Sequence, residues 1–257
     1  MSSDPRKLAL TVLNQIDGTE LTLNGVVDKV AAEEAIASNR NRALFYTLVY
    51  GTLRWRRRLD HILEHFVDRP VRKIDPRVLN LLRLGLYQMV FLDRIPHSAA
   101  VNTAVNLVRT LKANWATGFV NAVLRRASRE YHQVTFPSAE DNTVKALALN
   151  KSFPDWLVNR WISRYGIDDT VRMCDAINKA ASITLRVNTL KTTAAELLPE
   201  IKDFSAEAVR TSFAPDGIGN CQSAGKLFPS RLFKDGLCAI QDEAAQLIGL
   251  LVDPKPG

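Results

Sequence analysis

Four arginines in five positions, in Arg54-Trp55-Arg56-Arg57-Arg58, form the densest chemistry-bearing run in the chain. On a helix they spread over much of the circumference, so they cannot all face one core. Guanidinium groups make forked hydrogen bonds to phosphate and stack on bases. The neighbouring indole offers a stacking platform. The run therefore points to RNA contact through Arg54, Arg56, Arg57 and Arg58. The competing reading packs Trp55 inside and leaves the arginines solvated, or pairs Arg56 with Asp60 at i,i+4. Arg125-Arg126, followed by Arg129, makes a second basic patch. Arg186 and Asn188 alternate onto one face of an expected strand. There they suit a phosphate or a base edge, or serve equally well as satisfied surface polars.

The remaining reactive residue types point to less. His61 and His65 stand at i,i+4, but position 62 is isoleucine where the zinc-protease motif needs glutamate. His97 follows Pro96 at a helix start with no partner at ligand spacing, so no metal site is expected. Cys174, Cys221 and Cys238 are odd in number and widely spaced. They form neither a disulfide framework nor a CxxC pair, which fits a reducing cytoplasm. Cys221 and Cys238 lack the histidine or cation-rich setting that activates a thiol, and inert cysteines are expected. Gly217-Ile218-Gly219 is a fragment of a dinucleotide turn without its third glycine, and is set aside.

Charge is uneven along the 257 residues: the net +7 arises as +8 in residues 1–135 and −1 in residues 136–257. A compact cationic module suggests a polyanionic partner, most often nucleic acid. With 46% apolar and 24% charged residues, the chain is globular and long enough for about two domains. No uncharged run reaches the ~18 residues of a membrane helix. The first residues lack the apolar core of a signal peptide. No membrane partner is expected.

The first half reads as helices only. Asp4-Pro5 and Asp75-Pro76 are caps followed by proline at the first helical position. Helices are expected over about 5–16, 22–36, 42–66, 76–92, 98–112 and 116–131, a bundle of six or seven. The segment after Pro76 is apolar nearly all round, as in a helix surrounded by others. A linker over 136–143 leads to helices near 143–150, 155–165 and 168–178, with Gly166 closing one of them. Residues 182–188 alternate as a strand. A helix near 193–201, a strand near 208–213, a glycine-rich connection and a strand near 237–240 complete a small α/β module. The last segment is an amphipathic helix opened by Gln241-Asp242-Glu243 and followed by a turn at 253–257.

Several motifs together resemble a known family. Val49-Tyr50-Gly51-Thr52-Leu53-Arg54-Trp55, Leu82-Arg83-Leu84-Gly85-Leu86-Tyr87-Gln88, Asp93-Arg94-Ile95-Pro96 and Phe119-Val120-Asn121-Ala122-Val123-Leu124-Arg125-Arg126 resemble the NusB-type RNA-binding fold. More specifically, they resemble the version fused to RsmB (Sun/Fmu) type 16S ribosomal RNA cytosine-C5 methyltransferases. Phe153-Pro154-Asp155-Trp156-Leu157, Leu185-Arg186-Val187-Asn188-Thr189 and Ile240-Gln241-Asp242-Glu243-Ala244-Ala245-Gln246 resemble that family's small domain and its junction with the catalytic domain. The resemblance implies an all-α NusB-like bundle over 1–137, a small α/β domain over 138–235 and the leading helix of a Rossmann-type methyltransferase domain over 236–257. It implies 16S ribosomal RNA as partner. It implies S-adenosylmethionine as cofactor of the full-length enzyme, with none bound by this chain. In the family, one cysteine thiolate adds to C6 of cytosine and a second cysteine assists product release. Neither motif is found here, so a truncated, inactive targeting portion is expected. The alternative is a stand-alone NusB-like module in transcription antitermination.

Overall fold

The computed structural model describes residues 4–16, 20–34, 36, 38–179, 181–221, 227 and 229–253. They divide into two compact units, Met1–Asn178 and Lys179–Gly257. The first holds α1 (Pro5–Ile16), α2 (Leu23–Glu33), α3 (Asn39–Arg54), α4 (Arg56–Glu64), α5 (Pro76–Phe91), α6 (His97–Thr110), α7 (Thr117–Glu130), α8 (Ala139–Lys151) and α9 (Asp155–Asn178).

Helix α5 is the axis of this unit. Every residue from Val78 to Met89 is buried, with α1, α3, α4, α6 and α7 packed around it. Its start is fixed by Pro76 and by the Asp75 carboxylate, which accepts the Arg77 amide at 2.9 Å. Side-chain hydrogen bonding from Arg77 holds the Asp75 carboxyl below its ordinary range. A helix enclosed on all sides has no wet face, so its polar residues need internal partners. Asn80 donates to Leu13 O at 2.9 Å and Asn14 Oδ1 at 3.0 Å. Gln88 donates to Leu84 O at 2.9 Å and accepts from Arg6 at 2.7 Å. Arg83, only 6% exposed, grips Asp60 of α4 with Nε at 2.6 Å and Nη2 at 2.8 Å. Its Nη1 donates to Asn80 Oδ1 at 2.9 Å. Asp60 thus answers the buried arginine of α5. Close packing also explains a glycine: a Cβ on Gly51 of α3 would sit 2.0 Å from the Tyr87 hydroxyl.

Two boundaries in this unit differ from the sequence expectation and a third agrees with it. The apolar stretch over 42–66 is two helices, because Trp55 (φ −97°, ψ 11°) turns the chain between α3 and α4. The expected linker is already helical from Ala139. Helix α9 is broken at Gly166, whose φ of 78° suits glycine, so the expected pair of helices is present.

The second unit is a four-stranded antiparallel sheet in the order β2-β3-β1-β4. Its elements run β1 (Ile183–Val187), α10 (Ala194–Phe204), β2 (Val209–Arg210), β3 (Gly217–Cys221), α11 (Arg231–Lys234), β4 (Cys238–Ile240) and α12 (Glu243–Val252). Leu185 and Val187 of β1 face a core shared with Leu197 and Ile201 of α10 and Ile218 of β3, while Arg186 points outward. A capping box between Thr193 and Glu196 starts α10. The strand expected over 208–213 is only Val209–Arg210. Gly217-Ile218-Gly219 belongs to β3, where a connection was expected. Glycine is needed there because a Cβ on Gly217 would lie 2.1 Å from Thr211 Oγ1. The 222–226 part of the connection and the turn at 254–257 lie outside the described residues.

Replacing Asp60 with alanine leaves the Arg83 charge buried beside a lone Asn80 contact. The expected loss is about 3 kcal/mol of unfolding free energy, read as a lower denaturant midpoint at unchanged slope.

Candidate nucleic-acid interface

The arginine run is divided between two helices and two tasks. Helix α4 begins without a side-chain cap of its own, yet its first amides need acceptors. Ser152, which holds a left-handed φ of 63° just after α8, supplies one. Its Oγ accepts the Arg57 and Arg58 amides at 3.1 and 3.4 Å. The arginines answer in kind by satisfying carbonyls at the α8 end. Arg58 Nη1 donates to Asn150 O at 2.7 Å. Arg57 Nη1 donates to Phe153 O at 2.5 Å, and its Nη2 pairs with Asp155 at 2.7 Å. Arg57 and Arg58 are therefore clamps on the α8–α9 corner.

Arg58 is the more enclosed of the two. Its guanidinium lies over the rings of Phe136 and Trp55, 4.8 and 5.8 Å from their centroids. Burial lowers its pKa, and its buried Nε has no hydrogen-bond partner among the described residues. Trp55 stacks on Phe91 at 4.6 Å, so one indole face is already covered. Arg54 and Arg56 are half-buried at the α3–α4 turn.

The second patch is more open. Arg125 and Arg129 are both exposed on α7, one helical turn apart. Together with Ser128 they line a groove of about 340 Å³ whose other wall is Ser98, Val101 and Asn102 of α6. Helix α6 starts after Pro96 with no side-chain cap. The positive end of its dipole thus opens toward the same end of the bundle as His97, whose Nδ1 lies 3.1 Å from Ser128 O. Arg125 shares only its Nε, with Asn121 at 3.1 Å. The Ala99 and Ala100 amides of this first turn donate to Pro96 O at 3.0 and 3.1 Å, so the exposed Arg125 and Arg129 give the groove its cationic character. Arg126 turns to a neighbouring face, where it pairs with Glu130 at 3.2 Å and lies 5.6 Å from the Phe66 ring centroid.

In the second unit, Arg186 is exposed and makes one long contact, to Gln241 Oε1 at 3.3 Å. Asn188 is occupied by the fold. Its Nδ2 donates to Gly236 O at 2.9 Å, and its Oδ1 accepts the Leu190 amide at 3.2 Å. Arg186 lies in β1 while Asn188 follows the end of that strand, and the structure gives them different work. Sequence reasoning missed Ser98, Asn102 and Ser128. The i,i+4 spacing of Arg125 and Arg129 was the signal that could have found the groove.

The other reactive groups are accounted for inside the fold. His61 Nε2 lies 3.0 Å from Thr135 O and its ring packs on Phe136. Among the described residues no group of three or more His, Cys, Asp or Glu side chains could hold a metal ion. No helix among them is long and apolar enough to cross a membrane. Cys174, Cys221 and Cys238 are free thiols, all buried. Burial raises the Cys174 pKa and pushes both Cys221 and Cys238 up to about 11.

Comparison with known proteins gives the geometry its counterparts. Residues 3–129 match the NusB family, and residues 153–219 match the Methyltr_RsmF/B-like, ferredoxin-like domain. The chain thus has a NusB-like helical fold followed by a small antiparallel sheet. It is 34% identical over 250 residues to the probable ribosomal RNA small subunit methyltransferase B of Bacillus subtilis (strain 168), covering 97% of this chain and 55% of that protein. It is 30% identical to the corresponding probable methyltransferase of Synechocystis sp. (strain ATCC 27184 / PCC 6803 / Kazusa), covering 98% of this chain and 56% of that one. The chain is similar to these methyltransferases over nearly all of its own length and spans about half the length of these curated relatives. The crystal structure of PH0851 has the same fold, with a TM-score of 0.69 at 19% identity over 100% of this chain and 57% of that one.

Two outcomes follow from the side-chain assignments. Arg57→Ala is expected to loosen the α8–α9 corner, giving faster amide exchange over residues 150–160, whereas Arg125→Ala leaves exchange there unchanged. The three thiols are expected to resist a disulfide reagent at pH 8 in the native chain and to react together once it is unfolded.

Proposed function

We propose that this chain is the RNA-binding, targeting amino-terminal portion of an S-adenosylmethionine-dependent 16S ribosomal RNA (cytosine-C5) methyltransferase. The observation that carries the reading is the groove lined by exposed Arg125 and Arg129. It lies in the part of the chain that holds the basic excess. The similarity to ribosomal RNA methyltransferases supports RNA as the polyanion. Phosphate oxygens are the natural occupants of such a groove, because guanidinium forks favour them. Arg54, Arg56 and Arg126 belong to the basic excess of the same unit. Arg57 and Arg58 contribute through whichever N–H groups their internal bonds leave open.

The division into 1–137, 138–235 and 236–257 belongs to this reading. So does the assignment of α12 as the leading helix of the methyltransferase domain. Its outer face, with Ile248, Leu250, Leu251 and Val252 exposed, would then pack against the rest of that domain. S-adenosylmethionine is the methyl donor of the full-length enzyme and is assigned to no residue of this chain. The three thiols here are buried and held protonated, so none is set up as an attacking thiolate. Alone, the chain is expected to bind RNA without transferring a methyl group.

Binding to a 16S ribosomal RNA fragment is expected to weaken steeply with salt, each phosphate contact adding about 0.7 to 0.9 to the log–log slope. The double change Arg125→Ala with Arg129→Ala is expected to lower affinity, reduce that slope by about 1 to 2 and leave the melting temperature unchanged. Affinity that is flat in salt, or unaltered in the double variant, would contradict the reading.

A further inference from the structure

The first half of α9, from Asp155 to the break at Gly166, carries a row of side chains that neither the core nor the arginine clamps use. Its inward side is Val158, buried with Leu147 and Ala148 of α8, and Ile162 packs on the same cluster. Phe153 and Trp161 meet edge to face at 5.3 Å, so these two aromatics of the segment already have partners. The exposed residues include Trp156, Arg160 and Arg164. Their i,i+4,i+8 spacing advances only about 40° per step around the helix and about 6 Å along it. They therefore stand in one row on the wet side. At its head Trp156 is 66% exposed.

The row is cationic without a counter-charge of its own. Among the described residues Arg160 makes no hydrogen bond or ion pair. The Arg164 guanidinium lies over the Tyr165 ring, 5.3 Å from its centroid, and has no carboxylate. Asp155 is the one acidic residue between positions 155 and 166, and it is taken by Arg57 at 2.7 Å. Beyond the break, Asp169 is taken by Arg172 at 2.6 Å. A single exposed apolar side chain is ordinary. An indole in line with two unneutralised guanidinium groups is different, because it buries nothing in the fold and is a weaker helix former than the arginines beside it.

A π face followed by two cations suits a ligand that is anionic and carries flat rings. An acidic peptide would answer the arginines but needs no indole. An apolar protein surface would cover the indole but bury two charges unpaired. Unpaired nucleic acid answers both, since its bases stack on aromatic side chains and its phosphates take guanidinium groups. We propose that the outer row of α9 holds a single-stranded segment of RNA, with one base stacked on Trp156 and the adjoining phosphates held by Arg160 and Arg164. The proposal rests on the RNA-binding reading above and adds that the strand at α9 is unpaired, because a duplex hides its base faces within its own stack. Stacking and phosphate contacts tolerate any base, so the row selects strandedness rather than sequence. The groove of α6 and α7 has guanidinium groups but no ring among its lining residues, so it accepts phosphate from paired and unpaired RNA alike.

The test replaces the tryptophans of the intact chain with 5-fluorotryptophan and follows the fluorine NMR signal of each ring, that of Trp156 being assigned by its loss in Trp156→Phe. The probes are a short mixed-sequence RNA strand and the same strand annealed to its complement. The single strand is expected to shift the Trp156 signal saturably, and the duplex to leave it in place. Trp156→Ala, and separately Arg160→Ala with Arg164→Ala, should each bind the single strand about tenfold more weakly. The melting temperature should not change, since none of the three side chains supports the fold. Trp156→Phe keeps a stacking face and should lose less than Trp156→Ala. A Trp156 signal that ignores the single strand, an equal response to the duplex, or unaltered affinity in both variants would overturn the proposal. A signal that moves with protein concentration instead of RNA marks a contact between copies and overturns it too. Failure beside RNA binding that still depends on Arg125 and Arg129 removes this row alone. A retained Trp156 response in a chain whose RNA affinity ignores Arg125→Ala with Arg129→Ala supports the row and strikes the earlier groove instead.

Discussion

A guanidinium taken out of water must keep its charge and find partners for its N–H groups, and this constraint sorts the arginines of the chain. Arg83 meets it with a two-point grip on Asp60 and a third bond to Asn80 in the middle of the bundle. That pair joins α4 to the enclosed helix α5, so the arginine run at the start of α4 is placed by it. Arg57 and Arg58 meet the constraint at a helix end, by donating to the carbonyls of Phe153 just beyond α8 and of Asn150 in its last turn. Among the arginines that the fold leaves exposed are Arg125 and Arg129 on α7 and Arg186 on β1.

The same constraint explains what was legible in the sequence and what was not. The enclosed α5 was readable because its apolar residues leave no wet side, and its start because Asp75-Pro76 is a local signal. The smaller unit was readable at β1, where Leu185 and Val187 alternate with Arg186. Strand β3 was hidden because Gly217 and Gly219 look like turn residues. Gly217 is a glycine for close approach to Thr211, a tertiary reason that leaves no local trace. The break at Trp55 was hidden because apolar spacing runs through it, and the cap that lets α4 restart comes from Ser152, nearly a hundred residues away.

The candidate site was legible in composition and illegible in assignment. Basic excess in the first half and the two arginine clusters pointed to a polyanion. Counting charges could not separate clamps from contacts, since Arg57 and Arg125 are the same residue type in similar helical surroundings. The difference lies in carbonyls at residues 150 and 153, which no pattern around position 57 announces.

The most direct test of this division is to crosslink the intact chain to a uniformly labelled 16S ribosomal RNA fragment and map the attached peptides by mass spectrometry. The account predicts attachment within residues 97–129, at the groove between α6 and α7. Crosslinks confined to residues 54–58 and 150–155 would contradict it, because they would turn the clamp at the α8–α9 corner into the contact surface.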